Sequence, residues 1–263
     1  MTNSPSPTHD LNTTKALWFE EHRKDLLAAG KYEQLRQTYN DQKQFLPDEN
    51  TGKFWDQKFA EEKHNHPMEN WRLSEVVKRV DPNKSLLNLG VGRGEIEEIL
   101  AKKYPKLKYT GTDITRSTLK KLQKAYPSWK FQYAELDQLP FPKESFEQVL
   151  LLEVLEHIRP NETFEVLEEL ARVLVPGGRA MISVPVNEGL EEMLPVNPNS
   201  HMRIYSKELL TYELREVGLE VNQVLSASAF AKGFGFKHFL NTLIPLRKPN
   251  NLIVICTKKA DLS

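Results

Sequence analysis

The stretch Leu86-Leu87-Asn88-Leu89-Gly90-Val91-Gly92-Arg93-Gly94-Glu95 sets an apolar run, three alternating glycines and the start of a charged helical segment end to end. A buried strand that must turn into a helix within a few residues needs backbone free of Cβ, and the same bareness lets a ligand press against the peptide. The loop therefore predicts a nucleotide-type pocket at the end of a parallel strand. A dinucleotide fingerprint counted from Gly90 wants Gly or Ala at position 95, where a pyrophosphate would meet the helix N-terminus. Glu95 stands there, an anion facing the place for an anion, so NAD and FAD are disfavoured.

The surrounding pattern extends this unit. Short β-branched or Leu-rich runs predict strands over Leu86–Gly90, Lys108–Asp113, Lys130–Ala134, Gln148–Glu153, Gly178–Val184, Glu220–Leu225 and Asn251–Thr257. Helical spacing predicts Glu95–Lys103, Arg116–Tyr126, Glu162–Leu174 and Lys207–Val217 between them, and an amphipathic helix over Trp71–Val80 before them. Alternation at this spacing argues for an α/β fold with a parallel sheet covered on both faces. Ser206 reads as a helix N-cap, Gly218 as a left-handed stop, and Pro176-Gly177-Gly178 as the end of the Glu162–Leu174 helix. Residues 1–12 read as a frayed polar tail, 13–70 as a helical cap with scattered apolar points such as Phe54, Trp55 and Phe59, and 71–263 as the main domain with an insertion over 226–249.

Charge and cysteine content remove further classes. The 263 residues carry 36 Lys+Arg against 36 Asp+Glu, without the basic excess of a dedicated phosphate-backbone binder, so nucleic acid is a disfavoured partner. The single cysteine, Cys256, lies in the run Leu252-Ile253-Val254-Ile255-Cys256 and reads as a buried strand residue in a reducing compartment. Neither a membrane-spanning stretch nor a secretory leader is visible, which sets the expected location as cytoplasmic.

Four segments beyond the glycine loop carry a resemblance. Tyr109-Thr110-Gly111-Thr112-Asp113 ends a strand in an acid about 20 residues past the loop, where a carboxylate can accept ribose hydroxyls. Glu135-Leu136-Asp137-Gln138-Leu139-Pro140-Phe141-Pro142 is a turn after the third strand; Phe146 to His157 is an apolar strand ending in acids and a histidine; Leu170 to Gly178 is a helix-to-strand junction. In order and spacing these segments resemble class I S-adenosylmethionine-dependent methyltransferases of the small-molecule, ubiquinone-type branch. The resemblance implies a Rossmann-like, seven-stranded, mostly parallel sheet in the order 3-2-1-4-5-7-6, and S-adenosyl-L-methionine as cofactor. It places Gly90, Gly92 and Gly94 around the amino-acid and ribose end of that cofactor, which carries no phosphate and so tolerates Glu95. It assigns Asp113 to the ribose, Glu135 to the adenine amino group (with Asp137 as the alternative acid), the N–H of Leu136 to the ring, and Glu153 to the same pocket. Asn88 departs from the pattern, since the family usually has Asp or Glu there to hold the cofactor ammonium.

At the reacting end, His157 is the first choice for a base, because imidazole titrates near neutrality, with Glu156 beside it; the alternative is that both only organise the pocket. His201 and Arg203, before the Lys207–Val217 helix, resemble a substrate-facing junction, Arg203 as a clamp for an anionic group, and equally fit a role in holding loop carbonyls. Glu153, Glu156, His157 and His201 resemble the magnesium ligands of some ubiquinone-pathway O-methyltransferases and RNA 3′-end methyltransferases, but the string also occurs in relatives without metal, and no metal is assigned. The loop 187–200 is long enough for a lid. The insertion, with Phe230, Phe234, Phe236, Phe239, Lys232, Lys237, Arg247 and Lys248, fits an acceptor wall, an edge cover or a peripheral membrane contact. The expected reaction is methylation of a small-molecule hydroxyl, on a sugar, quinone precursor or lipid-linked intermediate. RNA 2′-O-methylation and a non-catalytic cofactor-binding scaffold are the alternatives.

Overall fold

The computed structural model describes residues 26, 29, 31, 34, 37, 50–60, 67–159, 162–186, 200–203, 205–228, 234–243 and 247–260. The expected tail over 1–12 and all but the last residue of the expected lid lie outside them. In chain order the elements are α1 (Gly52–Ala60), α2 (Pro67–Val77), β1 (Leu86–Leu89), α3 (Glu95–Lys103), β2 (Tyr109–Asp113), α4 (Arg116–Ala125), β3 (Lys130–Tyr133), β4 (Phe146–Leu152), a 3-10 turn at Leu155–His157, α5 (Thr163–Val173), β5 (Leu174–Pro185), α6 (Lys207–Glu216), β6 (Leu219–Ala227), α7 (Phe234–Leu243) and β7 (Asn251–Lys258).

The strands form one seven-stranded sheet in the order β3-β2-β1-β4-β5-β7-β6. All neighbours pair in parallel except β7, which runs antiparallel to both β5 and β6. The alternation of side chains along each strand sorts the core into two layers. Leu86, Leu150, Met181, Ile253 and Ile255 face the helices α2 and α3, packing on Val76, Val77, Ile96 and Leu100. Leu87, Leu89, Val149, Leu151, Ile182, Val254 and Cys256 face the other way, onto Val166, Leu167 and Leu170 of α5 and Leu210 and Leu214 of α6. Strands covered on both faces read as near-continuous apolar runs, which is why Leu86–Leu89 and Leu252–Cys256 carry almost no alternation.

Most expected elements are present with shifted ends. Ser206 caps α6, its Oγ accepting from the N–H of Leu209 at 3.2 Å, and Gly218 follows the helix in a left-handed conformation. The helix expected over Trp71–Val80 instead spans Pro67–Val77, beginning on a proline whose missing N–H costs nothing in a first turn. Pro176-Gly177-Gly178 does not stop a helix: α5 already ends at Val173, and these residues form an irregularity inside β5, whose register jumps from Phe146↔Leu174 to Gln148↔Arg179. Cys256 is buried, and burial pushes its thiol up to about 12.

Candidate functional site

The carboxyl ends of β1, β2, β3 and β4 open into one cavity of about 970 Å³, the position expected for a ligand in a parallel sheet. Asn88, Gly90 and Gly92 come to it from β1 and its loop, Asp113 from β2, Glu135 to Asp137 from the turn after β3, and Glu153, Val154 and His157 from the end of β4. Eight of the residues that the sequence nominates thus line a single space.

Asn88 has a partner that the sequence did not announce. Its Nδ2 donates to Oε1 of Glu97 at 2.9 Å, and the hydroxyl of Tyr109 donates to the same oxygen. All three groups are buried, and Asn88 Oδ1 and Glu97 Oε2 have no hydrogen-bond partner among the described residues. Burial raises the Glu97 carboxyl to about 7, against the pull of the Tyr109 and Asn88 hydrogen bonds. A carboxyl therefore does stand behind β1, one side chain further back than the family pattern puts it. The available signal was weak: Glu97 is one of three acids in the first turn of α3, singled out only by its spacing to the buried Leu100.

Asp113 holds the loop. Its Oδ2 accepts from the N–H of Gly92 at 3.0 Å and its Oδ1 from the N–H and hydroxyl of Thr115. Burial raises its pKa while these donors oppose the rise. Gly92 has φ +55, and a Cβ built on it would meet only the Phe59 ring edge, at 4.0 Å, so the bare loop faces open cavity. Gly94 differs from its expected role. It is not among the lining residues, and a Cβ there would come within 2.5 Å of Leu122 Cδ2, so glycine at 94 serves the packing of α4 against the loop. Glu135 is exposed at the cavity edge and accepts from the Tyr133 hydroxyl, while Arg116 lies over the Tyr133 ring. Leu136 and Asp137 flank it on the same wall.

Helix α1 roofs this space. Trp55, Asp56 and Phe59 line it, and Arg93 of the glycine loop donates to the carbonyls of Lys58 (2.7 Å) and Phe59 (3.2 Å). Trp55 meets the His157 ring edge-on, with centroids 4.7 Å apart, and His201 meets the same ring from another side at 4.9 Å. His157 Nδ1 lies 3.1 Å from the Ser200 carbonyl, which can only accept, so Nδ1 carries the proton and Nε2 the lone pair. Burial, helped by His201 and Lys58, lowers the His157 pKa to about 3. The imidazole is neutral at physiological pH. One ligand atom each from Glu156, His157 and His201 lies within 4.8 Å of the others, a grouping that a cation could use.

Two nominated residues do other work. Glu153, at φ +53, accepts from Ser183 Oγ (2.7 Å), from Asn251 Nδ2 (2.9 and 3.0 Å) and from Arg72 Nη1 (2.9 Å). It borders the cavity but is a strut joining β4, β5, β7 and α2, and it stands apart from the Glu156, His157, His201 group. Arg203 is not an acceptor clamp. It is 1% exposed, paired with Glu213 and bonded to Thr163 and Tyr205, which ties the segment before α6 to α5. Thr163 and Glu213, buried polar positions within helices, were the only sequence hint of that network.

Comparison with known proteins agrees with this geometry. Residues 86–178 match a family model described as a methyltransferase domain. The ubiquinone/menaquinone biosynthesis C-methyltransferase UbiE of Desulfotalea psychrophila is 32% identical over 114 residues, 42% of this chain and 46% of the relative. Demethylmenaquinone methyltransferase of Thermotoga maritima is 30% identical over 142 residues, covering 54% and 57%. The 27-O-demethylrifamycin SV methyltransferase of Amycolatopsis mediterranei is 30% identical over 160 residues, covering 56% and 58%. The chain spans about half the length of these curated relatives. Among solved structures, the [4+2]-cyclase SpnF superposes with a TM-score of 0.57 at 17% identity, covering 72% of this chain and 80% of that one. A putative sarcosine dimethylglycine methyltransferase from Galdieria sulphuraria gives 0.57 at 15%, covering 73% and 85%. At such identities the likeness is of fold alone, and the presence of a cyclase among methyltransferases illustrates how little the fold fixes the reaction. Residues 86–178, set in this sheet order, thus match a methyltransferase domain and are similar to the corresponding part of ubiquinone- and menaquinone-pathway methyltransferases.

Proposed function

We propose that the chain transfers a methyl group from S-adenosylmethionine to a hydroxyl oxygen of a small-molecule acceptor. The observation that carries this reading is the single cavity that joins a cofactor-sized bed to a neutral imidazole under an aromatic roof. The bed fits the cofactor on its own chemistry: the buried, unpartnered Asn88 Oδ1 suits an ammonium, the open face of Gly92 suits close approach, and the Asp113 carboxylate suits vicinal hydroxyls. The bound cofactor would supply a methyl group activated by its positive sulfur.

The protein's share is then placement and a proton acceptor. As the O–CH3 bond forms and the S–CH3 bond breaks, the attacking hydroxyl becomes a strongly acidic oxonium, so even the weakly basic Nε2 of His157 can take its proton late in the step. Glu156 is a positioning residue in this scheme: it is 1% exposed and outside the cavity wall, and its backbone carbonyl accepts from Met202 N–H at 2.7 Å. His201 would touch the acceptor side through its contact with His157. The relatives include both C- and O-methyltransferases, and the imidazole with its proton on Nδ1 is what favours oxygen here. Equal numbers of basic and acidic side chains weigh against RNA as acceptor. The Glu97 carboxyl behind Asn88 weighs against a scaffold that has lost its cofactor site.

Titration calorimetry with S-adenosylmethionine, S-adenosylhomocysteine and NAD tests the bed; binding of NAD in preference to the other two would overturn it. Incubation with cofactor labelled in the methyl group and a cell extract, followed by identification of the labelled compound, tests the transfer. Label in protein or RNA and none in small molecules would reject this acceptor class.

A further inference from the structure

We propose that α7 is a lipid-docking surface, with Phe236, Phe239 and Leu243 entering the interface of an anionic bilayer and Lys237 and Lys248 set against its headgroups. Four large apolar side chains are exposed among the described residues, and three of them, Phe236 (71%), Phe239 (59%) and Leu243 (65%), belong to this ten-residue helix. At spacings of three and four they form one stripe, the arrangement by which a helix lies in a membrane interface.

Charge selects the partner. The chain as a whole is balanced, yet no Asp or Glu occurs between Glu220 and Asp261, a stretch that holds Lys232, Lys237, Arg247, Lys248, Lys258 and Lys259. Lys237, Arg247 and Lys248 are exposed beside the stripe. The acid facing α7 from its neighbour is Glu75 of α2, already taken up by Lys78 (2.6 Å) and Arg79 (2.7 Å). A second copy docking through the same face would set these cations against themselves. An anionic bilayer offers both an apolar layer and countercharge at once.

Topology puts the surface beside the cavity. Because Pro185 and Ala227 both pair with Asn251, the connection from β6 to β7 leaves from the edge where the parallel strands end. Helix α7 is seated there by His238, which stacks on Phe234 and meets Trp71 of α2 at 5.2 Å between centroids. The next residues of α2, Arg72 and Leu73, line the cavity. An acceptor dissolved in the bilayer would thus be within one helix of the site, a corollary that rests on the proposed methyl transfer, whereas docking itself does not.

The test is co-sedimentation of the full chain with vesicles of phosphatidylcholine alone or with about a third phosphatidylglycerol. The expected result is pelleting with the anionic vesicles only, with release at high salt. The Phe236→Asp/Phe239→Asp variant should lose at least tenfold in partitioning, and Lys237→Gln or Lys248→Gln about fivefold each. Unchanged circular dichroism and S-adenosylhomocysteine affinity in the variants would separate loss of docking from loss of fold or of the cofactor bed. Wild-type protein that stays in solution with anionic vesicles, or an aspartate variant that pellets as wild type does, would overturn the proposal. So would a concentration-dependent dimer in sedimentation velocity that the same variant abolishes.

Discussion

Replacing Glu97 by Gln should make the protein more stable at neutral pH while leaving it nearly unchanged in mild acid. Glu97 is wholly buried, and its carboxyl is raised from 4.5 to about 7 by that burial. A carboxyl held above its unfolded value binds its proton more tightly in the folded state, so stability falls as pH climbs from about 4.5 through 7 and the loss is complete above that window. The rise from 4.5 to about 7, at 1.36 kcal/mol per pH unit, amounts to about 3 kcal/mol in full. Gln keeps an oxygen for the Tyr109 hydroxyl and for Asn88 Nδ2, and it removes only the charge. Urea unfolding of both proteins without cofactor at a series of pH values from 5 to 8 reads the difference directly. His157 and the remaining titrating groups are common to both and cancel. The two stability curves should separate by about 2–3 kcal/mol between the ends of the series, since a small part of the loss has already occurred at pH 5. Parallel curves would refute the claim that this carboxyl is forced to ionise in a dry site. A cationic cofactor near Asn88 should also lower the Glu97 pKa on binding, so affinity for S-adenosylmethionine should rise from pH 6 to 8 in the wild type and stay flat in the variant.

Other positions make separate demands. Gly92→Ala should fold, at a cost of about 1–2 kcal/mol for a side chain in the left-handed region, yet bind S-adenosylhomocysteine at least tenfold more weakly in calorimetry, because its Cβ enters open cavity. Asp113→Ala removes the acceptor for Gly92 N–H and should weaken the same binding by about tenfold to a hundredfold. Arg203→Met leaves the Glu213 carboxylate buried without its guanidinium and should cost about 3–5 kcal/mol in denaturant unfolding; a loss of activity without loss of stability would return Arg203 to the acceptor site. The His157 pKa is lowered, so its contribution to stability is complete above about 6.5 and drains away as pH falls toward 3; His157→Gln should flatten that acid limb, and kcat of the wild type should show no inflection near 6.5.

The glycine loop and the acid ending β2 were legible because their chemistry is local: a bare turn and a carboxylate at a strand end are set by a few consecutive residues. The sheet order came through resemblance and was met strand for strand. What the sequence hid was partnership across distance. Glu97 looks like any first-turn acid of α3 until β2 delivers Tyr109 beside it. Glu153 and Arg203 looked like site residues because polar groups at strand and helix ends often are. Only the folded chain shows that Arg72, Ser183 and Asn251 hold the first and that Glu213, Thr163 and Tyr205 engage the second. Pro176-Gly177-Gly178 misled for a related reason, since a breaker in one dimension is also an irregularity that a strand can absorb.

The reversed direction of β7 has a consequence for how such a chain can change. A parallel edge would have carried the link between the last two strands across a face of the sheet, burying it under a helix and tying its length to the core. Reversal turns that link into a hairpin at the sheet's rim, so residues can be added, lost or recoloured there without disturbing the strands that hold Asn88, Asp113 and Glu153. A surface carried on that hairpin can therefore change while the strands lining the cavity stay as they are, two traits that selection can tune one at a time.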